Sequence, residues 1–370
     1  MTRIKQFLKD NTVVTVAALA AIITSFIVPP DTEYLAYFDF KTLSCLFCVL
    51  AVVCALRNIR FFYTLAKAIV RRFKTTRSAI LALVYITFIG SMLIANDMAL
   101  LTFLPLGYFV LKTTGKEKHL AFAFIMQNIA ANLGGMLTPF GNPQNLYLYS
   151  KFNIPDLEFI SIMIIPFVVA ITLITLCCIV FVRPEPLEIA EKAAELPKLR
   201  VVIYLILFAL SILIVFKSIP YIVGLIVIPL ALLFLDRKAL CDVDYGLLLT
   251  FVFFFVFAGN MSRIEAVREI FSMLLEKNTL IFSALSCQLI SNVPSAILLS
   301  QFTENYRELL LGVNIGGAGT LIASLASLIT FKEYTKQSPG HTLSYILKFS
   351  AYNFVFLIIL ILICFLFGVV

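Results

Sequence analysis

The chain has 370 residues, 61% of them hydrophobic and 14% charged, with a formal net charge of +8. Soluble globular domains carry about 25% charged residues, so this composition argues against a soluble enzyme or nucleic-acid-binding module and for an all-α polytopic membrane protein. The positive surplus lies in particular loops, as a membrane-inserted chain requires, and does not form a nucleic-acid patch.

A span needs about 20 consecutive apolar residues. Residues 11–28 follow a basic N-terminus and come close to that length, and a whole series of spans succeeds them. They therefore read as a retained first span and not as a cleaved signal. Next come 38–56, then 78–111, interrupted at Ile94-Ala-Asn-Asp97, and 119–150, interrupted by a glycine- and proline-rich stretch from Asn132 to Asn145. The second half runs 157–182, 199–217, 219–235 and 243–258. After these, 279–301 is interrupted at Ile290-Ser-Asn-Val-Pro294, 307–331 at Asn314-Ile-Gly-Gly-Ala-Gly-Thr320, and 342–369 closes the series. Bare backbone N–H and C=O groups in hydrocarbon cost several kcal/mol each, so such breaks must line a cavity. Residues 78–111 and 279–301 are read as re-entrant hairpins, and 119–150 and 307–331 as broken helices, giving about nine crossings. Residues 61–74 and 262–277 read as amphipathic pieces along the interface.

Orientation follows Lys and Arg. Arg57, Arg60, Lys67, Arg71, Arg72, Lys74 and Arg77 crowd one loop that holds no acid, which makes it cytoplasmic. The N-terminus is then inside and the C-terminus outside, with the first hairpin entering from the cytoplasm and the second from outside. The loops at Lys112–Lys118, Arg183–Arg200, Asp236–Lys238 and Lys332–Lys336 also fall inside. The charged linker 184–198 separates a first repeat, 1–183, from a second, 199–370.

An offset of 182 aligns Asn132, Gly134, Gly135 and Thr138 with Asn314, Gly316, Gly317 and Thr320. An offset of 196 aligns Leu93-Ile94-Ala-Asn96 with Leu289-Ile290-Ser-Asn292. An odd number of crossings separates the copies, so the repeat is inverted, and midplane sites form where inverted repeats meet.

A hairpin tip offers carbonyls from one helix end and N–H groups from the next, which attract a cation and an anion respectively. Gly134, Gly135, Gly316 and Gly317 let backbone approach an ion closely, and Pro139 and Pro143 stop the helix. Side-chain oxygens of Asn96, Thr138, Asn142, Asn145, Ser291, Asn292 and Thr320 are candidate substrate ligands. Asn96, Asp97 and Asn292, with the four glycines, are candidate cation ligands. The alternative is that these groups only satisfy broken backbone. Asp97 is the one charged residue deep in an apolar segment, and such a charge is functional by default. It is read as binding Na⁺ or carrying a coupling proton, against the plainer role of helix N-cap.

Eight cysteines lie almost wholly within apolar runs, and the two histidines stand at segment ends. They read as buried hydrophobes and not as a metal centre. No nucleophile or metal constellation of a membrane enzyme is present.

Asn96-Asp-Met-Ala-Leu-Leu, Thr138-Pro-Phe-Gly-Asn-Pro-Gln-Asn145 and Ser291-Asn-Val-Pro-Ser295, in this order, resemble the ion-transporter superfamily. The nearest branches are the arsenite-permease and citrate-transporter-like families, related to the sodium/dicarboxylate symporters. The resemblance implies a dimerising scaffold and a transport part, built of both hairpins and both broken helices, that moves like an elevator. In the dicarboxylate symporters each tip carries Ser-Asn-Thr. Here the tips are Ala95-Asn96-Asp97 and Ser291-Asn292-Val293, which keep both asparagines but lack the first serine and both threonines. The expectation is a plasma-membrane secondary transporter of a small anion, a di- or tricarboxylate, coupled to Na⁺ or H⁺ and needing no other cofactor. Arsenite or antimonite efflux and Na⁺/H⁺ exchange are the alternatives.

Overall fold

The computed structural model describes residues 12–187 and 196–368. Predictions that fall on 1–11, on most of the charged linker (188–195) and on 369–370 lie outside the described residues. Regular structure among the described residues is helical, apart from one isolated bridge between Thr75 and Pro186.

The first half comprises α1 (Thr12–Ile27), α2 (Phe40–Asn58), α3 (Phe61–Val70), α4 (Thr76–Ile94), α5 (Asn96–Thr113), α6 (Leu120–Gly134), α7 (Pro143–Lys151) and α8 (Asp156–Phe181). The second comprises α9 (Lys198–Val215), α10 (Tyr221–Leu235), α11 (Arg237–Cys241), α12 (Tyr245–Ser262), α13 (Glu265–Lys277), α14 (Thr279–Ile290), α15 (Asn292–Leu299), α16 (Tyr306–Ile315), α17 (Leu325–Gln337) and α18 (Thr342–Leu366). Polar caps set many of the starts. Asp39, Asp244, Asn278, Asn305 and Ser324 each accept an N–H of the first helical turn, and Thr75 and Ser78 form a capping box ahead of α4. Outward faces are apolar, with Phe26, Leu157 and Leu366 at 84%, 83% and 77% exposure. A surface of this kind is stable against lipid and not against water.

Both interrupted hairpins are helical pairs hinged on a single residue. Ala95 joins α4 to α5 at φ 67°, ψ 151°, and Ser291 joins α14 to α15 at φ 76°, ψ 158°. This conformation is close to glycine-only territory and costs about 1–3 kcal/mol, so the surroundings must enforce it. Both broken helices also appear where the glycines and prolines stand: α6 and α7 flank one break, α16 and α17 the other.

The two hairpins are mounted at opposite ends of α8, which has 26 residues and is about 39 Å long. At its C-terminal end, Arg77 Nε donates to Val182 O at 2.7 Å and the Thr76 N–H to Glu185 O at 2.8 Å. Lys116 and Lys118, just past α5, each place Nζ 2.6 Å from the Glu185 carboxylate, and their hydrogen bonds hold its pKa down to about 2. The far ends of α4 and α5 therefore meet at one residue. At the N-terminal end of α8, Tyr306 OH donates to Glu158 Oε1 at 2.9 Å, and Arg307 Nε lies 3.7 Å from the same atom. Glu308, in that turn of α16, accepts the Leu280 N–H from the start of α14 at 3.1 Å.

Among the described residues, seven helices are long and apolar enough to cross a membrane. The set differs from the spans expected. It includes α4, the first arm of a hairpin, which at 19 residues is as long as a span. It omits α1 and α10, apolar but 16 and 15 residues long, and the second broken helix, whose unwound middle leaves pieces of 10 and 13 residues.

Candidate functional site

Each hairpin tip is sewn to the break of its own half by matched hydrogen bonds. The Asn96 N–H donates to Gly141 O at 3.1 Å, and the Asn292 N–H to Ala323 O at 2.9 Å. Thr138 Oγ1 donates to Met92 O at 2.7 Å, and Thr320 Oγ1 to Gln288 O at 3.2 Å. In every pair the hairpin partners are 196 positions apart and the break partners 182, the two offsets found in the sequence. Both asparagines also cap the next residue: the Asp97 and Val293 N–H groups each donate to the preceding Oδ1 at 2.9 Å.

The glycines divide into two kinds. A Cβ on Gly134 would stand 2.3 Å from Phe88 O, and one on Gly316 2.6 Å from Gly312 O and 2.8 Å from Ala284 Cα. Phe88 and Ala284 are again 196 apart, so Gly134 and Gly316 seat the first arm of each hairpin against the helix beside it. We expect Gly134→Ala and Gly316→Ala each to cost about 1–3 kcal/mol by overpacking. Gly340→Ala, with nothing within 4 Å of its Cβ, is the silent control for thermal unfolding in detergent. Gly135 packs against Gly141 O and the Asn142 side chain of its own break, and Gly317 faces a tip. A Cβ on Gly317 would lie 3.2 Å from Asn292 Nδ2 and 3.7 Å from Asn132 Oδ1, so amides of both halves converge on this position.

Around that point lies a buried amide cluster. Asn96 Nδ2 donates to Asn132 Oδ1 at 3.3 Å, and Asn142 Nδ2 to Asn132 O and Asn314 Oδ1, both at 3.1 Å. Gln144 Nε2 reaches Asn314 Oδ1 at 3.3 Å, and Asn314 Nδ2 donates to Asn145 Oδ1 at 2.6 Å. These asparagines and Gln144 are at most 3% exposed. Asn132 Nδ2, Asn142 Oδ1, Gln144 Oε1 and Asp97 Oδ1 are buried with no hydrogen-bond partner among the described residues. Buried polar atoms in native proteins are normally satisfied, so the three within the amide cluster mark a place for a ligand or ordered water.

Asn145 has a different position. Its Nδ2 donates to Gly135 O, Met136 O and Thr138 O, each at 3.2 Å, so the side chain is committed to holding the first break open. Gln288 does the same for the second break and was not singled out in the sequence. Its Nε2 donates to Gly316 O at 2.8 Å and Ala318 O at 3.2 Å, and its Oε1 accepts the Thr320 N–H at 2.8 Å. The available signal was a glutamine inside an apolar arm, three residues before the tip. Gln127 and Asn128 on α6 were passed over in the same way. They bond to Thr87 and the Phe103 carbonyl, and to Ser327 and Thr330. The halves thus interlock, with α17 on α6 and α7 on α15, where Tyr147 and Ser300 hydroxyls meet at 2.9 Å.

Paired helix breaks, two hinged hairpins and a buried polar cluster inside an apolar helical shell define an integral membrane transporter rather than an enzyme. The chain belongs to the citrate transporter family (CitMHS), whose profile matches residues 4–305. It is a secondary transporter of that family, and the resemblance to the ion-transporter superfamily is borne out. It is 36% identical over 297 residues to an uncharacterized transporter (MJ0456) of Methanocaldococcus jannaschii, covering 80% of this chain and 81% of the relative. It is 28% identical over 323 residues to the inner membrane protein YbiR of Escherichia coli, covering 85% of each.

Proposed function

We propose that this transporter carries a small polycarboxylate, a di- or tricarboxylate, across the plasma membrane, coupled to Na⁺ or H⁺. The observation that carries the reading is the convergence of two tips on one spot, each a strained hinge followed by an asparagine, with unpartnered amide atoms between them. Two helix N-termini, at Asn96 and Asn292, turn positive dipole ends toward carboxylates, although their first two N–H groups are already bonded within the tips. Neutral amide oxygens and the Asp97 carboxylate suit a hard cation such as Na⁺. The family description, a citrate transporter, supports this substrate class. In this reading the halves form an inverted repeat, 1–183 and 199–370, joined by the linker 184–198. Both hairpins enter as re-entrant loops and move with the broken helices as an elevator against a dimerising scaffold. The N-terminus is cytoplasmic and the C-terminus outside.

Cation/proton exchange is the second reading, favoured by one observation: Asp97 Oδ1 is buried without a partner among the described residues.

Val293, partly buried at the second tip, offers a direct test. In a Val293→Cys variant with the exposed Cys241 replaced by serine, citrate plus the coupling cation is expected to slow thiol labelling saturably. Protection by cation alone, unaltered by citrate or succinate, would favour the exchange reading.

A further inference from the structure

Arg57 is a cation at the first hairpin tip that the amide site does not use. It stands in the last turn of α2, after which Arg60 adopts a left-handed conformation (φ 58°, ψ 28°) that turns the chain into α3. Its neighbour Asn58 donates to Asp236 at 3.2 Å. Arg57 itself is partly buried and pairs with no carboxylate among the described residues. Among the described residues its side chain makes one hydrogen bond, from Nη1 to Met98 Sδ at 3.4 Å. Met98 lies two residues beyond Asn96, so the guanidinium is aimed at the hairpin tip. A thioether is a weak acceptor and a guanidinium has five N–H donors, so most of its capacity is unused.

The space beside it is an open cavity. Arg57, Arg60 and Tyr63 on one wall face Leu101, Thr102 and Pro105 of α5 across a cavity of about 340 Å³. That volume lies within the range of about 300–1,000 Å³ usual for small-molecule sites. Two positive groups and a phenol against an apolar floor form a pocket matched to an oxyanion, while the Thr102 hydroxyl is spent on Met98 O at 2.8 Å. A partly desolvated guanidinium with no carboxylate within 4 Å among the described residues gains from an anion that completes it.

We propose that this cavity is a vestibule in which Arg57 binds a carboxylate of the transported anion, with Arg60 adding a second positive charge. The substrate then passes to the amides at the tip of the first hairpin. The proposal rests on the anionic-substrate reading above. A phospholipid headgroup offers similar oxyanion chemistry, so the test separates the two sources.

The chain contains no tryptophan, so Phe62→Trp, on the cavity wall, gives a single indole reporter. The full-length Phe62→Trp protein is titrated with citrate in nanodiscs of phosphatidylcholine, with and without phosphatidylglycerol. The proposal predicts a saturable emission change with citrate in neutral lipid. Arg57→Gln should raise its midpoint about tenfold or more, the loss of a charge-assisted pair, and Arg57→Lys should restore much of it. No saturable response, equal midpoints for Arg57→Gln and its parent, or a response to phosphatidylglycerol alone would overturn it. The readout does not need transport. Citrate that binds here through Arg57 while neither citrate nor succinate is accumulated would refute the polycarboxylate reading and, with it, the vestibule's role in transport, leaving only an anion site at Arg57. Accumulation with no response at the cavity would refute the vestibule alone.

Discussion

Asp97→Asn is expected to lower gradient-driven accumulation by more than about tenfold, because a neutral amide carries no coupling proton and gives up a charge-assisted contact to a cation, about 1.5–3 kcal/mol. The substitution keeps the shape of the side chain and its place in the first turn of α5. What it forfeits in stability is a favourable charge at a helix N-terminus, about 0.3–1 kcal/mol. The folded protein should therefore persist while its coupling fails. A fixed negative charge near the tip repels a carboxylate, and a bound Na⁺ or proton removes that repulsion, so loading of ion and substrate become interdependent. Residual uptake by Asp97→Asn should no longer depend on the coupling ion. Uptake measured across a series of Na⁺ concentrations and pH values decides the point. A variant whose sodium and pH dependence match the parent would remove Asp97 from coupling.

Asn96→Ala and Asn292→Ala should each reduce kcat/KM for uptake by about 10- to 100-fold, the size of one or two hydrogen bonds to a charged group. Each side chain accepts the N–H of the next residue, and losing such a bond costs about 1 kcal/mol of stability. The backbone bonds to Gly141 O and Ala323 O remain, so the tips stay attached. Asn145→Ala should behave differently. It leaves three carbonyls of the first break without their donor, and buried unsatisfied groups cost about 1–3 kcal/mol each. Its main effect is a lower melting temperature in detergent. Equal stability losses in all three variants, with unchanged transport in the first two, would reduce the tips to scaffolding.

The helices and their interruptions were legible because composition and punctuation suffice for them. Apolar runs end where Gly134-Gly135, Pro139, Pro143 and Gly316-Gly317 make a continued helix expensive. The offsets 182 and 196 could be read because paired contacts constrain residue type at both partners. Gln288 and Arg57 were not legible. Their roles depend on which element folds against them, and neither stands in a repeated motif. Gly134 and Gly316 looked the same as Gly135 and Gly317 in sequence. Their difference, with Gly134 and Gly316 against Phe88 and Ala284, Gly135 against its own break and Gly317 beside the tip amide of Asn292, exists only in three dimensions. The length of α4 also departs from a short re-entrant arm, because nothing in its sequence breaks the helix before Ala95.

The measurement that tests the account most directly is uptake of labelled citrate and succinate into proteoliposomes under an imposed Na⁺ gradient, a pH gradient, or neither. Accumulation above equilibrium is expected with one of the two gradients and none without, lost in Asn292→Ala protein that remains folded. Uptake that only equilibrates, or that Asn292→Ala leaves intact, would contradict it.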